Sequence, residues 1–194
     1  MHDIEPFYKW RDFYTSEKDN KSPFYGREYS EFQFSQKIYN YFIHPQWDFY
    51  GSPTMCMKIL YMDYDKGISI IELLGEWNDC ITNDIMILKR EVVDHLISNG
   101  IYKFVFMCDN VLNYHSGDED YYEEWYEDVV DEDGWVCLVN LSDHVQEEMQ
   151  SARLQHYVMM GDDYNEVAWR GLHPKGIAIE VEQRRDNATK QLRY

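Results

Sequence analysis

A chain of 194 residues with 36 acidic against 18 basic side chains carries a formal charge of −18. Such a charge repels nucleic acid and anionic membranes at long range; it reads first as a surface that keeps the protein soluble, and leaves a basic protein surface or divalent cations as the matched partners. Its 44% apolar and 16% aromatic content is enough to bury a core without staples. The cysteines Cys56, Cys80, Cys108 and Cys137 form no CxxC pair, which excludes zinc-ribbon and thioredoxin motifs and fits a reducing cytoplasm.

Met1 to Trp10 mixes polar and aromatic residues, with no basic stretch leading into an apolar one, so no export signal is expected. No apolar run approaches a membrane span. Residues 1–54 read as an aromatic extension packing on the rest, punctuated by Pro23, Gly26, Pro45, Gly51 and Pro53, with a strand possible over Ile38 to Ile43. Within it, His44-Pro45-Gln46-Trp47-Asp48 reads as a turn stapled by Trp47 rather than an acid–base site, because no nucleophile or metal set accompanies it.

From residue 55 the pattern sharpens. Met55 to Tyr64 and Ile68 to Leu74 read as a β-hairpin turning at Asp65-Lys66-Gly67. Thr82, Asn83 and Asp84 are acceptable N-caps for a helix whose apolar stripe is Ile85, Leu88, Val92 and Leu96. Asn99-Gly100 stops it, with Ile101 as the hydrophobic contact beyond. Tyr102 to Cys108 reads as a buried strand. A helix after Ser116 carries Tyr122, Trp125 and Val129 on one face, and Trp135 to Leu141 is another buried strand. A helix from Ser142 or Asp143 places Val145, Met149 and Ala152 together, and His156 to Met160 reads as a last short strand. Strands alternating with helices predict an α/β domain over residues 55–160: a mixed, mainly parallel sheet covered by amphipathic helices. Residues 161–194 read as a partly irregular extension, with a possible strand at Ile177 to Val181 and a frayed polar end from Arg184.

The order of elements and the stretch from Phe104 through Asp109-Asn110 to His115-Ser116-Gly117 resemble STAS domains, the fold of bacterial anti-sigma-factor antagonists. The resemblance covers about residues 55–160. It implies a non-enzymatic regulatory domain that binds a protein partner, with Ser116 where the family's phospho-acceptor serine falls. Tyr114 and His115 depart from the family's acidic and small hydroxyl residues, and Asp118-Glu119-Asp120 from its small apolar ones. The chain as a whole also looks like members of a bacterial family that brings no activity with it.

The residues themselves give a second role to Ser116: Ser116-Gly117-Asp118-Glu119 has the form of a capping box. Asp118 to Asp133 contains no Lys or Arg and reads as a solvated helix face, or as an interface on which Tyr121, Tyr122, Trp125 and Tyr126 meet a basic partner. It lacks the ligand spacing of an EF-hand, so no metal or other cofactor is expected. Glu72, Glu76 and Asp79 lie near the hairpin's end, with Glu76 to Asp79 read as the loop into the helix. Ligands often sit at strand C-terminal ends, which makes Glu76, Asp109 and Asn110 the pocket candidates if the chain is instead an enzyme or small-molecule binder.

Overall fold

The computed structural model describes residues 4–191. Two short strands, β1 (Lys37–Ile38) and β2 (Tyr41–Phe42), form a small ribbon. The single strand expected at Ile38 to Ile43 is thus split, and Tyr39, at φ +51°, makes the turn.

The main sheet has the order β3-β4-β5-β6, from β3 (Met55–Asp63), β4 (Ile68–Asn78), β5 (Lys103–His115) and β6 (Trp135–Val139). β3 and β4 are the antiparallel hairpin, and β4, β5 and β6 run parallel. This is the mixed α/β sheet that alternating strands and helices require.

Period-two alternation sends side chains to two faces. Met55, Met57, Ile71, Leu73, Phe104, Phe106, Val136 and Leu138 face the helical layer. Leu60, Ile68, Ile70, Val105, Met107, Cys137 and Val139 face the other side.

The helical layer opens with α1 (Asp84–Leu88), a π-helical turn (Lys89–Val93) and α2 (Asp94–Ser98), which run on without a break. Their stripe of Ile85, Leu88, Val92 and Leu96 is fully buried. Burying such a side chain is worth ~1.5–3 kcal/mol. The end is a Schellman motif. Gly100, at φ +87°, donates to the Ile97 carbonyl at 2.9 Å, and Ile101 donates to that of Leu96 at 3.1 Å. Asn83, in the cap position, makes no side-chain cap bond. The Asp79 carboxylate instead takes the Ile85 N–H at 2.8 Å.

Next come α3 (Asp120–Val130) and α4 (Asp143–Ser151) on the same face. The expected strand at His156 to Met160 is reduced to one residue. Leu154–His156 is a 3-10 turn, and Met159 alone bridges the outer edge of β6 at Cys137. At the opposite edge Asp48 bridges Met57 of β3. Each contact blunts an edge that would otherwise template aggregation.

The tail departs from its sequence reading. Ile177 to Val181 is no strand but part of α5 (Pro174–Gln191), which also takes in the residues from Arg184 that were expected to fray. Ile177, Ala178 and Val181 are buried against the second face of the sheet, the spacing of a helix stripe. Arg184 is held by the Glu180 carboxylate at 2.6 Å and the Asp163 carbonyl at 2.6 Å. The last residues, 192–194, lie outside the described part.

The start of the N-terminal segment covers the same face. Trp10 is buried there, in edge contact with Phe7 and Trp169, and its indole donates to the Leu172 carbonyl at 3.0 Å. Further on, Phe24 and Tyr50 pack into the cluster on the helical face, and Trp47 joins Ile38, Ile43, Cys56 and Leu74 in a third. Trp47 is fully buried and donates to the Ile4 carbonyl at 2.8 Å.

Candidate functional site

Three parallel strands end on one side of the molecule, where ligands gather in open α/β sheets. Two of them run further than their sequence suggests. β4 continues through Glu76, Trp77 and Asn78, which were expected to form a loop. β5 continues to His115, because Val111 and Tyr114 are buried on the helical face despite polar neighbours. Past β4, Asp79 is buried and accepts from the Trp77 indole at 3.1 Å, the Ile85 N–H and the Tyr122 hydroxyl at 2.7 Å. Burial pushes its carboxyl up to about 6, against the pull of those donors.

Ser116 follows directly on β5 and is exposed. It does not cap α3, whose cap position is Glu119 and which has no side-chain cap bond. The longer β5 leaves Ser116 short of the helix start. It lies instead in an open groove of about 610 Å³, with Cys80, Tyr114 and His115 on its side and Glu147, Glu148 and Ser151 of α4 opposite.

Of the four aromatics proposed as partner contacts, two are core. Tyr122 and Trp125 are 1% exposed; Tyr122 lies near the Trp77 ring, and Trp125 packs edge-on against Phe104 and Phe106. They occupy the apolar stripe of α3, so they position the helix and cannot touch a partner. Tyr121 is half-buried with Arg90 over its ring at 5.5 Å, and Tyr126 is 40% exposed. A further ring, not signalled by the helix pattern, joins Tyr126: Tyr157, at 6.4 Å between centroids. Partial desolvation, then the field of Glu119, Glu123, Asp120 and Glu127, pushes the Tyr157 phenol above its ordinary value.

Glu76 and Asp109 do not share a site. Glu76 accepts from the Tyr39 hydroxyl and from Asn113 at 3.1 Å, with His115 at 3.6 Å. Those donors, Tyr39 first, hold its carboxyl below the usual range. Asp109 instead accepts from Trp169 at 2.9 Å and Arg170 at 2.8 Å, and it lines a groove of about 590 Å³ with Asn140, Asp143, Asp162 and Glu166. Asn110 turns to Glu72 at 3.4 Å. Glu72, buried beneath the N-terminal segment, also takes the Phe7 N–H at 2.8 Å and Arg170 at 3.3 Å. Burial raises its carboxyl to about 7.

Asp94, Glu124 and Asp128 bring carboxylate oxygens within 4.8 Å of one another, the one such cluster among the described residues. The Lys89 ammonium stands among them, paired with Asp94, with Asp128 at 2.6 Å and with Glu124 at 3.4 Å. Cys56, Cys108 and Cys137 are buried, and burial pushes their thiols up, while Cys80 is exposed.

No family model and no curated protein matches this chain. Among solved structures, a provisional anti-sigma factor antagonist from Thermotoga maritima matches 51% of this chain and 80% of its own. The identity is 16% and the TM-score 0.39. No helix among the described residues is long and apolar enough to cross a membrane. What this chain can bind is decided by its own surface.

Proposed function

We propose that this protein works by binding another protein, a basic one, through the outward face of α3 and the groove at Ser116. The observation that carries the reading is a run of charge. Between Lys103 and Arg153 there is no Lys or Arg, and α3 and α4 both fall in that interval. Glu123 and Glu127 are exposed on α3 beside Tyr126, and Glu147 and Glu148 line the groove. Exposed rings among carboxylates suit Lys and Arg side chains, which stack on the ring while pairing with the acid.

Ser116 is accessible to a modifying enzyme. A phosphate there would face Glu147 and Glu148 with no Lys or Arg lining the groove, so modification would act by repulsion from those carboxylates, rearranging the groove rather than docking on an arginine cluster. The rival reading, an enzyme using Glu76 and Asp109, has no assembled pair to support it.

The test is binding of a short lysine- and arginine-rich peptide to the wild type and to a Glu123→Lys, Glu127→Lys variant. Both positions are exposed, so the fold should tolerate the change. Affinity is expected to drop by roughly tenfold or more, mainly through the association rate. Equal affinity for both proteins would remove this surface from consideration.

A further inference from the structure

β5 is thirteen residues long, but β6 pairs only with Lys103 to Met107. Beyond that, Asn110 to His115 runs beside β4 on one side, with register shifts that leave Asp109 and Leu112 without a β4 partner, and, among the described residues, has no strand on the other. An unpaired strand edge is a template for another chain. On that side stands the start of α4, whose His144 ring nitrogen Nε2 sits 2.7 Å from the Leu112 carbonyl, and Asn140 donates to the Asp109 carboxylate at 3.3 Å. Leu112 itself is 51% exposed. The two acidic grooves lie at the ends of this edge, one lined by Asp109, Asp143 and Glu166, the other by His115, Ser116 and Glu147. Asp109 is already paired with Arg170, so Asp143, Asp162 and Glu166 supply the free charge at that end.

Resting on the proposed function, we infer that an extended, basic segment of the partner adds as a strand along Asp109 to His115. It takes the place of His144 at the Leu112 carbonyl, and its Lys or Arg side chains reach into the two grooves. Main-chain bonds give such a mode its affinity, and alternate side chains give it specificity. Charge selects the occupant: every titratable side chain lining both grooves is a carboxylate apart from Cys80, Tyr114 and His115.

A capped heptapeptide alternating lysine and threonine is the probe, together with two versions N-methylated at its odd or at its even residues. Only one set of amides can face β5, because successive N–H groups of a strand point to opposite sides. Binding followed by fluorescence anisotropy at low salt should therefore survive one methylation pattern and be lost with the other. Hydrogen exchange should slow at residues 109–115. Leu112→Lys, at an exposed position, should weaken binding roughly tenfold by repulsion. Equal binding by both methylated peptides, with loss on Glu123→Lys and Glu127→Lys, would overturn the strand mode and leave the α3 surface standing. Failure of every basic probe would remove both.

Discussion

Three carboxylates from two helices converge on one point, and the group standing there is the ammonium of Lys89. It is fully buried at its base, in the π-helical turn, yet reaches Asp94 on α2 and Glu124 and Asp128 on α3. The extra residue of a π turn shifts the helix phase, and here it delivers a lysine to the helix interface. Arg90 adds a two-pronged pair to Glu124 at 2.6 and 2.8 Å. Lys89→Met keeps the apolar stem and deletes the charge. The carboxylates are partly solvated, so the cost should fall between that of a surface pair and a buried one, about 2 kcal/mol. The variant should also show a rise in melting temperature with added Ca²⁺, larger than any in the wild type, since the three acids would then need a cation. Thermal melts with and without Ca²⁺ check both points. A Ca²⁺ response as large in the wild type would mean that Lys89 does not fill the cluster.

At the scale of elements, the terminal segments are strapped to the second face of the sheet through Glu72 on β4 and Asp109 on β5. Phe7 and Arg170 hold Glu72; Trp169 and Arg170 hold Asp109; Asn140 exchanges two bonds with Val167, at 2.8 and 2.9 Å. Lys58 stands opposite Glu72 in the β3–β4 ladder but is paired with Asp48 at 3.2 Å. Because burial lifts the Glu72 carboxyl from 4.5 to about 7, the folded protein holds that proton more tightly than the unfolded chain. The stability this contributes is complete below the unfolded value and is lost as pH rises through the folded one. Glu72→Gln should therefore flatten the fall in urea midpoint between about pH 5 and about pH 8, with Asp79 contributing the same sign to both proteins. Parallel slopes for variant and wild type would contradict it.

None of these strap contacts was legible in the sequence, and the reason is physical. The sheet strands and the first helix were readable because their apolar residues repeat at periods of two and 3.6 over long stretches. Glu72 sits inside such a run and gives no sign of which distant segment answers it. The far half of β5 was hidden because Asp109, Asn110 and Asn113 look like loop residues, although Val111 and Tyr114 between them are core. The same polar run made Ser116 look like a cap. Ile177 to Val181 reads as a strand because its β-branched residues fall at every second position, whereas its burial at Ile177, Ala178 and Val181, with Ile179 exposed, is helical. On α3 the aromatic residues were found but not sorted. Tyr122 and Trp125 fall on the stripe with Val129, and that spacing marks them as core.

For the whole molecule, the net charge of −18 acts on two equilibria with opposite signs. Folding gathers the charge into a compact body and works against its self-repulsion, so screening should stabilise the native state. Binding a basic segment on the flank of α3 and α4 uses that same field as attraction, so screening should weaken it. Raising ionic strength from ~20 mM to ~300 mM shortens the Debye length from about 20 Å to about 6 Å, inside the spacing of surface charges. The melting temperature should rise by about 2–4 °C, which corresponds to about 1 kcal/mol for a chain of this length. Over the same range, affinity for a lysine-rich probe should fall, and the loss should lie mostly in the association rate. Because specific ion effects on stability need not oppose binding, the pairing of the two slopes is the diagnostic quantity. A melting temperature that rises while probe affinity stays level would show that the acidic flank serves solubility alone, and the partner surface would have to be sought elsewhere.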